Sequence, residues 1–427
     1  MRLGLSLGLP SSGAAAIATL GLDFINASYE VNGSPVTLTD YVAITRTGTA
    51  TYTASSGAVT DASASALRFD YTPNGGALRG LLIEKETTNL LARSEELANT
   101  PWASARMAST NNFATAPSGA TTAARALCNT SSASGMFTRN PPSAFDGTEM
   151  TVTIFAKVVS GNWASFGFTD NGSNESRVFF NVSTGAIGST TNAGTRYTIT
   201  ASSATNYGNG WYRLRVSATR PAGSAADQLI IYPACAGDGD LTVTSGVSEM
   251  LLWGAQLEVN PYASSYIRTT SAAVVRQKDS ISMTGTDFSD WYNASEGTFV
   301  AEFETQQLGN DLFSANDTTA NEAIRSTAGT ASHLVVVDGG ATQADIDAGT
   351  VSVNTVTKLA AAYKANDFAS CINGGSVVTD TSGTVPTVTQ LLLGQTVGSN
   401  NLLQGHLRKL VYYPRRLSNS QLQILTA

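Results

Sequence analysis

The sequence predicts an all-β protein: two antiparallel jelly-roll β-sandwich domains preceded by an extended N-terminal attachment segment. Three observations predict it. Short runs rich in Val, Thr, Phe and Tyr alternate with period two and are separated by small-residue turns, the signature of many short strands rather than of alternating α/β units. Only 13% of the residues are charged, which suits strands and small-residue turns better than solvated helices. At 427 residues the chain is too long for one ordinary core, so two or more domains are expected. The pattern divides the chain into an attachment segment at 1–22, a β-rich connecting region at 23–93, a first sandwich at 94–275 and a second at 276–427.

The first residues carry a single positive charge, Arg2, and Gly, Ser and Pro interrupt their apolar positions, which argues against a signal peptide. Leu3, Leu5, Leu7 and Leu9 alternate instead as a strand able to add to another protein. No apolar run is long enough to span a bilayer, so no membrane insertion is expected. In the connecting region, 41–46, 50–53 and 66–71 read as extended pieces around the turns at Ser55-Ser-Gly-Ala and Pro73-Asn-Gly-Gly. Ser94 is expected to cap a short helix with Glu95 and Glu96 in its first turn, with Trp102 packed beside it.

In the first sandwich, 150–158 puts Val152, Ile154 and Ala156 on one face and Thr151, Thr153, Phe155 and Lys157 on the other. Strands are also expected at 163–168, 177–182, 210–218 and 228–232, with a turn at Asn181-Val-Ser-Thr-Gly-Ala. The closing strand is assigned Trp253, Ala255 and Leu257 on one face and Gly254, Gln256 and Glu258 on the other. A polar bridge, Arg276-Gln-Lys-Asp-Ser, leads to the second sandwich. There Phe299, Ala301 and Phe303 share a face, strands follow at 333–338 and 358–364, and Asn373-Gly374 marks a type I′ hairpin. Pro414 ends the last strand, and Ser418 or Ser420 caps a terminal helix.

A net charge of −7 supplies no broad positive field for a phosphate backbone, so no nucleic-acid partner is expected. It also opposes nonspecific adhesion to acidic envelopes. Cys128, Cys235 and Cys371 are odd in number and widely spaced, which favours buried free thiols over a disulfide framework or zinc site. His333 and His406 lie inside predicted strands and no Gly-x-Ser-x-Gly elbow accompanies them, so both read as structural. Asp238 and Asp240 sit on a glycine turn without the rest of a calcium loop. No catalytic residue, cofactor or metal is expected. What remains is sugar binding, in which an aromatic face stacks on a ring while amides and carboxylates take its hydroxyls. Among Trp163, Trp211, Tyr212, Trp253 and Trp291, the second and fourth read as core anchors. Trp163, with Asp170 and Asn171 in a predicted loop, is the candidate carbohydrate-binding set.

Several stretches carry a resemblance. Arg46-x-Gly-Thr-Ala-Thr-Tyr, Arg68-Phe-Asp-Tyr-x-Pro, Gly80-Leu-Leu-Ile-Glu-x-x-x-Thr-Asn-Leu-Leu, Ser94-Glu-Glu, Gly210-Trp-Tyr-Arg and Trp253-Gly-Ala-Gln-Leu-Glu-x-x-x-Tyr-Ala-Ser-Ser-Tyr-Ile-Arg-Thr, together spanning 40–275, are similar to tailed-bacteriophage virion proteins of the fibre, spike or head-decoration type with carbohydrate-binding-module-like sandwiches. The ending, within 290–427, resembles a concanavalin A-like or laminin-G-like domain. Glu302-Phe-Glu-Thr-Gln-Gln departs from the Glu-x-Asp-x-x-Glu of glycanases on that fold, so Glu302 and Glu304 read as a solvated strand face. The resemblance implies a virion component assembled in the bacterial host cytoplasm. It further implies attachment to other virion proteins through the N-terminal segment, binding of host-surface polysaccharide without cleavage, and homo-oligomerisation, as a trimer if the protein is a fibre. The alternatives are a tailspike depolymerase, a purely structural decoration or scaffold protein, and a secreted adhesin if the N-terminus is cleaved.

Overall fold

The strand Gly405–Tyr413 carries the architecture. The computed structural model describes residues 17–130, 135–139, 149–170, 174–220, 227–398 and 401–427, and in it this strand is flanked on one side by Glu296–Thr305. On its other side two N-terminal strands lie end to end. Leu20–Asp23 pairs with 409–412, and Leu78–Ile83 pairs through Leu81, Leu82 and Ile83 with Leu407, His406 and Gly405. Gly80 lets the second of these approach so closely: a Cβ there would stand 2.6 Å from the Leu407 carbonyl oxygen, and its φ of +129° is one that L side chains rarely adopt. The sheet continues through Thr357–Lys364 and Phe368–Ile372 to Val378–Asp380.

The facing sheet runs from Ala341–Asp347 through His333–Asp338, Ala323–Ala328, Asn310–Asn316, Gln390–Leu393 and Ser280–Thr284 to an N-terminal edge strand, Ala43–Thr45. Between the two sheets, Leu20, Leu22, Phe24, Leu81 and Ile83 are fully buried among Phe299, Phe303, Leu410 and Tyr412. The C-terminal sandwich is therefore built from both ends of the chain.

The first sandwich is inserted within it. One sheet contains Met136–Arg139, Gln228–Cys235, Trp163–Thr169 and Glu175–Asn181; the other contains Ala123–Cys128, Glu249–Glu258, Glu149–Ser160, Trp211–Thr219 and Thr198–Gly208. Their core, including Met150, Val152, Ile154, Leu214, Val216 and Leu257, is separate from that of the C-terminal sandwich. The strands leading in and out, Thr87–Asn89 and Val274–Arg276, pair with each other, so the insertion begins and ends at one point.

This arrangement corrects the sequential division. The segment 23–93 is not a connecting region, because its strands complete both sheets of the C-terminal sandwich; Leu20 and Leu22, assigned to the attachment segment, belong to that core as well. Residues 1–16, with the alternating leucines, lie outside the described residues. In the polar bridge at 276–280, Arg276 and Asp279 are buried.

Smaller corrections have local causes. Residues 38–41 form one helical turn before the Ala43–Thr45 strand, where an extended piece from 41 was expected. No helix follows Ser94: its Oγ lies 2.7 Å from Tyr266 Oη and its N–H and Oγ reach Thr269, so the side chain that would cap a helix holds the closing segment instead. Trp102 packs there and donates to the Arg93 carbonyl. In the closing strand Gly254 adopts φ +65° within a register shift against Glu149–Ser160, and this bulge turns Trp253 away from Ala255 and Leu257. Trp253 and Trp211 are buried in an outer cluster with Phe155 and Tyr266, outside the inter-sheet core.

A Cβ at Gly254 would meet Phe155 Cδ2 at 3.0 Å. Gly254→Ala is accordingly expected to cost about 1–3 kcal/mol, read as a lowered denaturant midpoint with an unchanged slope.

Several local expectations hold. Phe299, Ala301 and Phe303 face the core. Asn373 and Gly374 both take positive φ, Ser418 caps Asn419–Thr426 in a capping box with Gln421, and all three cysteines are buried and free. Burial pushes the Cys235 thiol up to about 12.

Candidate functional site in the cleft between the sandwiches

The stretches singled out in the sequence converge where the two sandwiches meet. Arg68 Nη1 donates to Glu84 Oε2 at 2.6 Å and to the Thr51 carbonyl at 2.8 Å, while its Nη2 bonds Asp279 Oδ2 at 2.5 Å. Arg46 Nη1 takes the other oxygen of Asp279 at 2.6 Å, and Arg276 Nη1 stands 3.3 Å from Glu84. The first sandwich joins through Ser265, whose N–H and hydroxyl donate to Glu84 at 2.8 and 2.7 Å. Nearby, Asn89 Nδ2 bonds the carbonyls of Ala255 and Ile267, and Gln256 Oε1 accepts from the Ile267 N–H. The charged groups are buried, three guanidiniums sharing two carboxylates, and each carboxylate is ion-paired and hydrogen-bonded as a polar group in a dry junction must be. Their role is to fix one sandwich against the other.

Beside this junction opens a cleft of about 580 Å³, within the range of small-ligand sites. The C-terminal sandwich supplies its floor. Asp70 Oδ1 accepts from the Thr53 N–H at 2.7 Å, and Oδ2 lies 3.0 Å from His406 Nε2. Arg79 Nη2 bonds Glu304 Oε1 at 2.7 Å, with Nη1 3.8 Å from Asp70. The first sandwich supplies a wall: Thr198–Gly208 and Trp211–Thr219 present Ser203, Tyr207, Arg213 and Arg215, because alternation sends Leu214 and Val216 into the core. Tyr207 meets Phe155 edge-on at 4.9 Å between centroids. The Ala50–Thr53 strand contributes half-buried Tyr52, and the segment after the closing strand contributes Tyr262.

This arrangement suits a polar ligand with apolar faces. Carboxylates, guanidiniums and tyrosines converge from both domains on a rigid junction. It lacks the relay of nucleophilic catalysis: His406 is buried against Asp70, its Nδ1 has no partner, and among the described residues no hydroxyl or thiol bonds the ring. His333, half-buried on His333–Asp338, pairs with Asp345 on the neighbouring strand and does not line the cleft. Glu302 and Glu304, expected on a solvated face, are half-buried and paired with Arg408 and Arg79.

The sequence-based sugar set is not brought together. Trp163 opens the seven-residue strand Trp163–Thr169, half-buried against Phe179, Ile230, Tyr232 and Cys235. Asp170 follows the other end of that strand, where its carboxylate accepts from the N–H and side-chain amide of Asn174 at 3.2 and 2.6 Å. An extended run of this length separates the two by about 23 Å, too far for one shallow site. Asn171 lies outside the described residues. Trp291 is a core residue of the C-terminal sandwich. Asp238 holds Ser189 through its N–H and hydroxyl at 2.7 Å, and Asp240 accepts from the Thr242 N–H, as turn residues do. The cleft aromatics Tyr52, Tyr207 and Tyr262 were not singled out as ligand-facing. The only signal for Tyr262 was its place inside the Trp253–Thr269 stretch.

Tyr262 is 3% exposed, yet its hydroxyl has no partner. Burial raises its pKa well above the usual tyrosine value, so the group is a neutral donor. Tyr262→Phe is expected to leave stability unchanged or raise it by about 1 kcal/mol, since it removes an unsatisfied buried hydroxyl; thermal unfolding checks this.

No family model matches the chain, and no curated protein is similar to it. Similar solved structures include the CBM40 of the Ruminococcus gnavus IT-sialidase bound to α2,6-sialyllactose, at 14% identity over 32% of this chain and 85% of that chain, with a TM-score of 0.28. Domain 4 of AbnA, a GH43 extracellular arabinanase from Geobacillus stearothermophilus, in complex with arabinotriose, is similar at 15% identity over 39% of this chain and 82% of that one, with a TM-score of 0.28. Mouse laminin α1 chain domains LG4-5 are similar at 10% identity over 69% and 94%, with a TM-score of 0.25. Each is a likeness of fold, in β-sandwich domains.

Proposed function

We propose that the protein is a non-catalytic glycan-binding component of a tailed-bacteriophage virion, with the cleft between the sandwiches as its sugar site. One observation carries the binding part: tyrosines and hydrogen-bonding groups of both signs, drawn from two domains, line one cleft beside a buried charge network that holds it rigid. Sugars present both surfaces at once, a ring face for Tyr52 or Tyr207 and hydroxyls for Asp70, Glu304 and the arginines. Preorganisation on two packed sandwiches lowers the entropic cost of binding.

The virion setting is supported by the resemblance of the motif stretches. In that setting the protein attaches to other virion proteins through its N-terminal segment, oligomerises with copies of itself and adsorbs to host-surface polysaccharide. Trp163 and Asp170 have no part in the cleft. A second reading, a polysaccharide depolymerase, draws on Asp70 and Glu304 facing the same cleft. Glycoside cleavage needs one carboxyl as acid and the other as base or nucleophile, whereas both here are engaged by Arg79.

The test is binding of the labelled full chain to host cells before and after their surface polysaccharide is stripped, with the supernatant assayed for new reducing ends. Binding that disappears on stripping without sugar release is expected. Release of oligosaccharide replaces the adsorption reading with the depolymerase. Binding that survives stripping contradicts both.

A further inference from the structure

The cleft wall discriminates among sugars. Arg213 and Arg215 stand two residues apart on the outer face of Trp211–Thr219, and their partners are all uncharged. Arg213 Nη1 donates to the Ser264 carbonyl at 2.9 Å and Nη2 to Thr153 Oγ1 at 3.1 Å. Arg215 Nε donates to Ser217 Oγ at 3.0 Å and Nη2 to the Pro261 carbonyl. Among the described residues neither guanidinium has a carboxylate within ion-pair distance, in contrast to Arg79 on the floor. A guanidinium offers five N–H donors, and these two leave part of that capacity unused; the buried Arg213 Nε has no acceptor. Tyr262 adds the unpartnered hydroxyl already described, and all three residues line one cleft.

Two cations and a neutral O–H donor that share a wall, with Glu149 and Glu258 near Arg215 but beyond ion-pair distance, are complementary to a carboxylate, whose two oxygens match the guanidinium fork. The floor has the opposite character, since Asp70 and Glu304 can only accept and so suit the hydroxyls of the same ligand. The molecule as a whole, with its net charge of −7, opposes an acidic polymer, so holding one calls for a local cationic wall of this kind. We infer that the cleft selects a saccharide bearing a carboxylate, a uronic or a sialic acid residue, and seats that carboxylate on Arg213, Arg215 and the Tyr262 hydroxyl. This rests on the sugar-binding reading of the cleft.

The probes are oligomers of galacturonic acid, mannuronic acid and α2,8-linked sialic acid, each beside its carboxyl-reduced twin, titrated calorimetrically into the full chain. At least one acid is expected to bind about tenfold or more tighter than its twin, the difference a charge-assisted hydrogen bond makes. In Arg213→Gln/Arg215→Gln that preference should fall below about threefold, because the fork and charge are gone. Tyr262→Phe, which breaks no bond within the protein, should weaken the acid several-fold and leave the reduced twin unaffected; it keeps the test valid if the arginine variant fails to fold. The galacturonate, mannuronate and sialate arms separate uronic from sialic acid. Equal affinity for acid and twin overturns the inference and leaves the sugar-binding reading standing. A preference that survives both variants also overturns it, by placing the carboxylate elsewhere. Binding of no oligomer overturns the inference and the sugar-binding reading together.

Discussion

Arg68→Ala is expected to lower the stability of the whole chain by about 3–5 kcal/mol, the loss typical of removing one member of a buried ion pair. The side chain is fully buried and bonds Glu84, Asp279, Ser265 and the Thr51 carbonyl, so its removal takes an ion-pair partner from two buried carboxylates at once and leaves Asp279 to Arg46 and Glu84 to Arg276 and Ser265. Against a total of about 5–15 kcal/mol for a typical domain, that is a large share, and it should appear as a lowered midpoint in urea.

The same network gives a pH dependence of definite sign. Burial alone would raise the pKa of Glu84; the charges of Arg276 and Arg68 and the two bonds from Ser265 outweigh it and hold the carboxyl well below its ordinary 4.5. A depressed folded-state pKa means that the stabilisation is fully present above the unfolded value and is lost as pH falls towards the folded one. The urea midpoint should therefore hold above about pH 5 and decline at lower pH. Glu84→Gln should start from a lower midpoint and show a shallower acid decline.

The second large effect follows from the discontinuous sandwich. A chain of residues 276–427 alone is expected to show no cooperative unfolding transition. It lacks Leu20, Leu22, Phe24, Leu81 and Ile83, all fully buried, and each contributes about 1.5–3 kcal/mol of burial. It also leaves one side of Gly405–Tyr413 unpaired where two N-terminal strands belong. Joining residues 17–88 directly to 275–427 through a short Gly-Ser link should restore a cooperative transition. The excision is geometrically cheap because Thr88 and Val275 are opposed in the paired strands. Far-UV circular dichroism in urea compares the two chains. A cooperative transition in 276–427 alone would show that the N-terminal strands are dispensable.

Local features of this fold were legible in the sequence because they are set by neighbours in the chain. The alternation in Glu149–Ser160, the positive-φ pair Asn373-Gly374 and the capping box at Ser418 each need only a few adjacent residues. The insertion was not legible. A strand such as Leu20–Asp23 carries no mark of pairing with residues some 390 positions later, and sequential strands pair often enough that a serial division is the natural reading.

The cleft was hidden for the same reason. Arg46, Arg68, Glu84, Gln256 and Ser265 stood out as motif residues, and only the long-range contact reveals that they hold a junction rather than a ligand. Trp163 attracted notice as a large aromatic near predicted loops. The tyrosines that face the cleft were inconspicuous because period-two alternation reports the face of a strand and not what stands opposite it.

The central claim is that ligand binds between the sandwiches, and hydrogen exchange of the full chain with and without a cell-binding glycan tests it most directly. The expected result is slowed exchange in Thr198–Gly208, in Trp211–Thr219 and across residues 261–266, with Trp163–Thr169 unchanged. Slowed exchange confined to Trp163–Thr169 and the turn at Asp170, with the cleft unaffected, would contradict it.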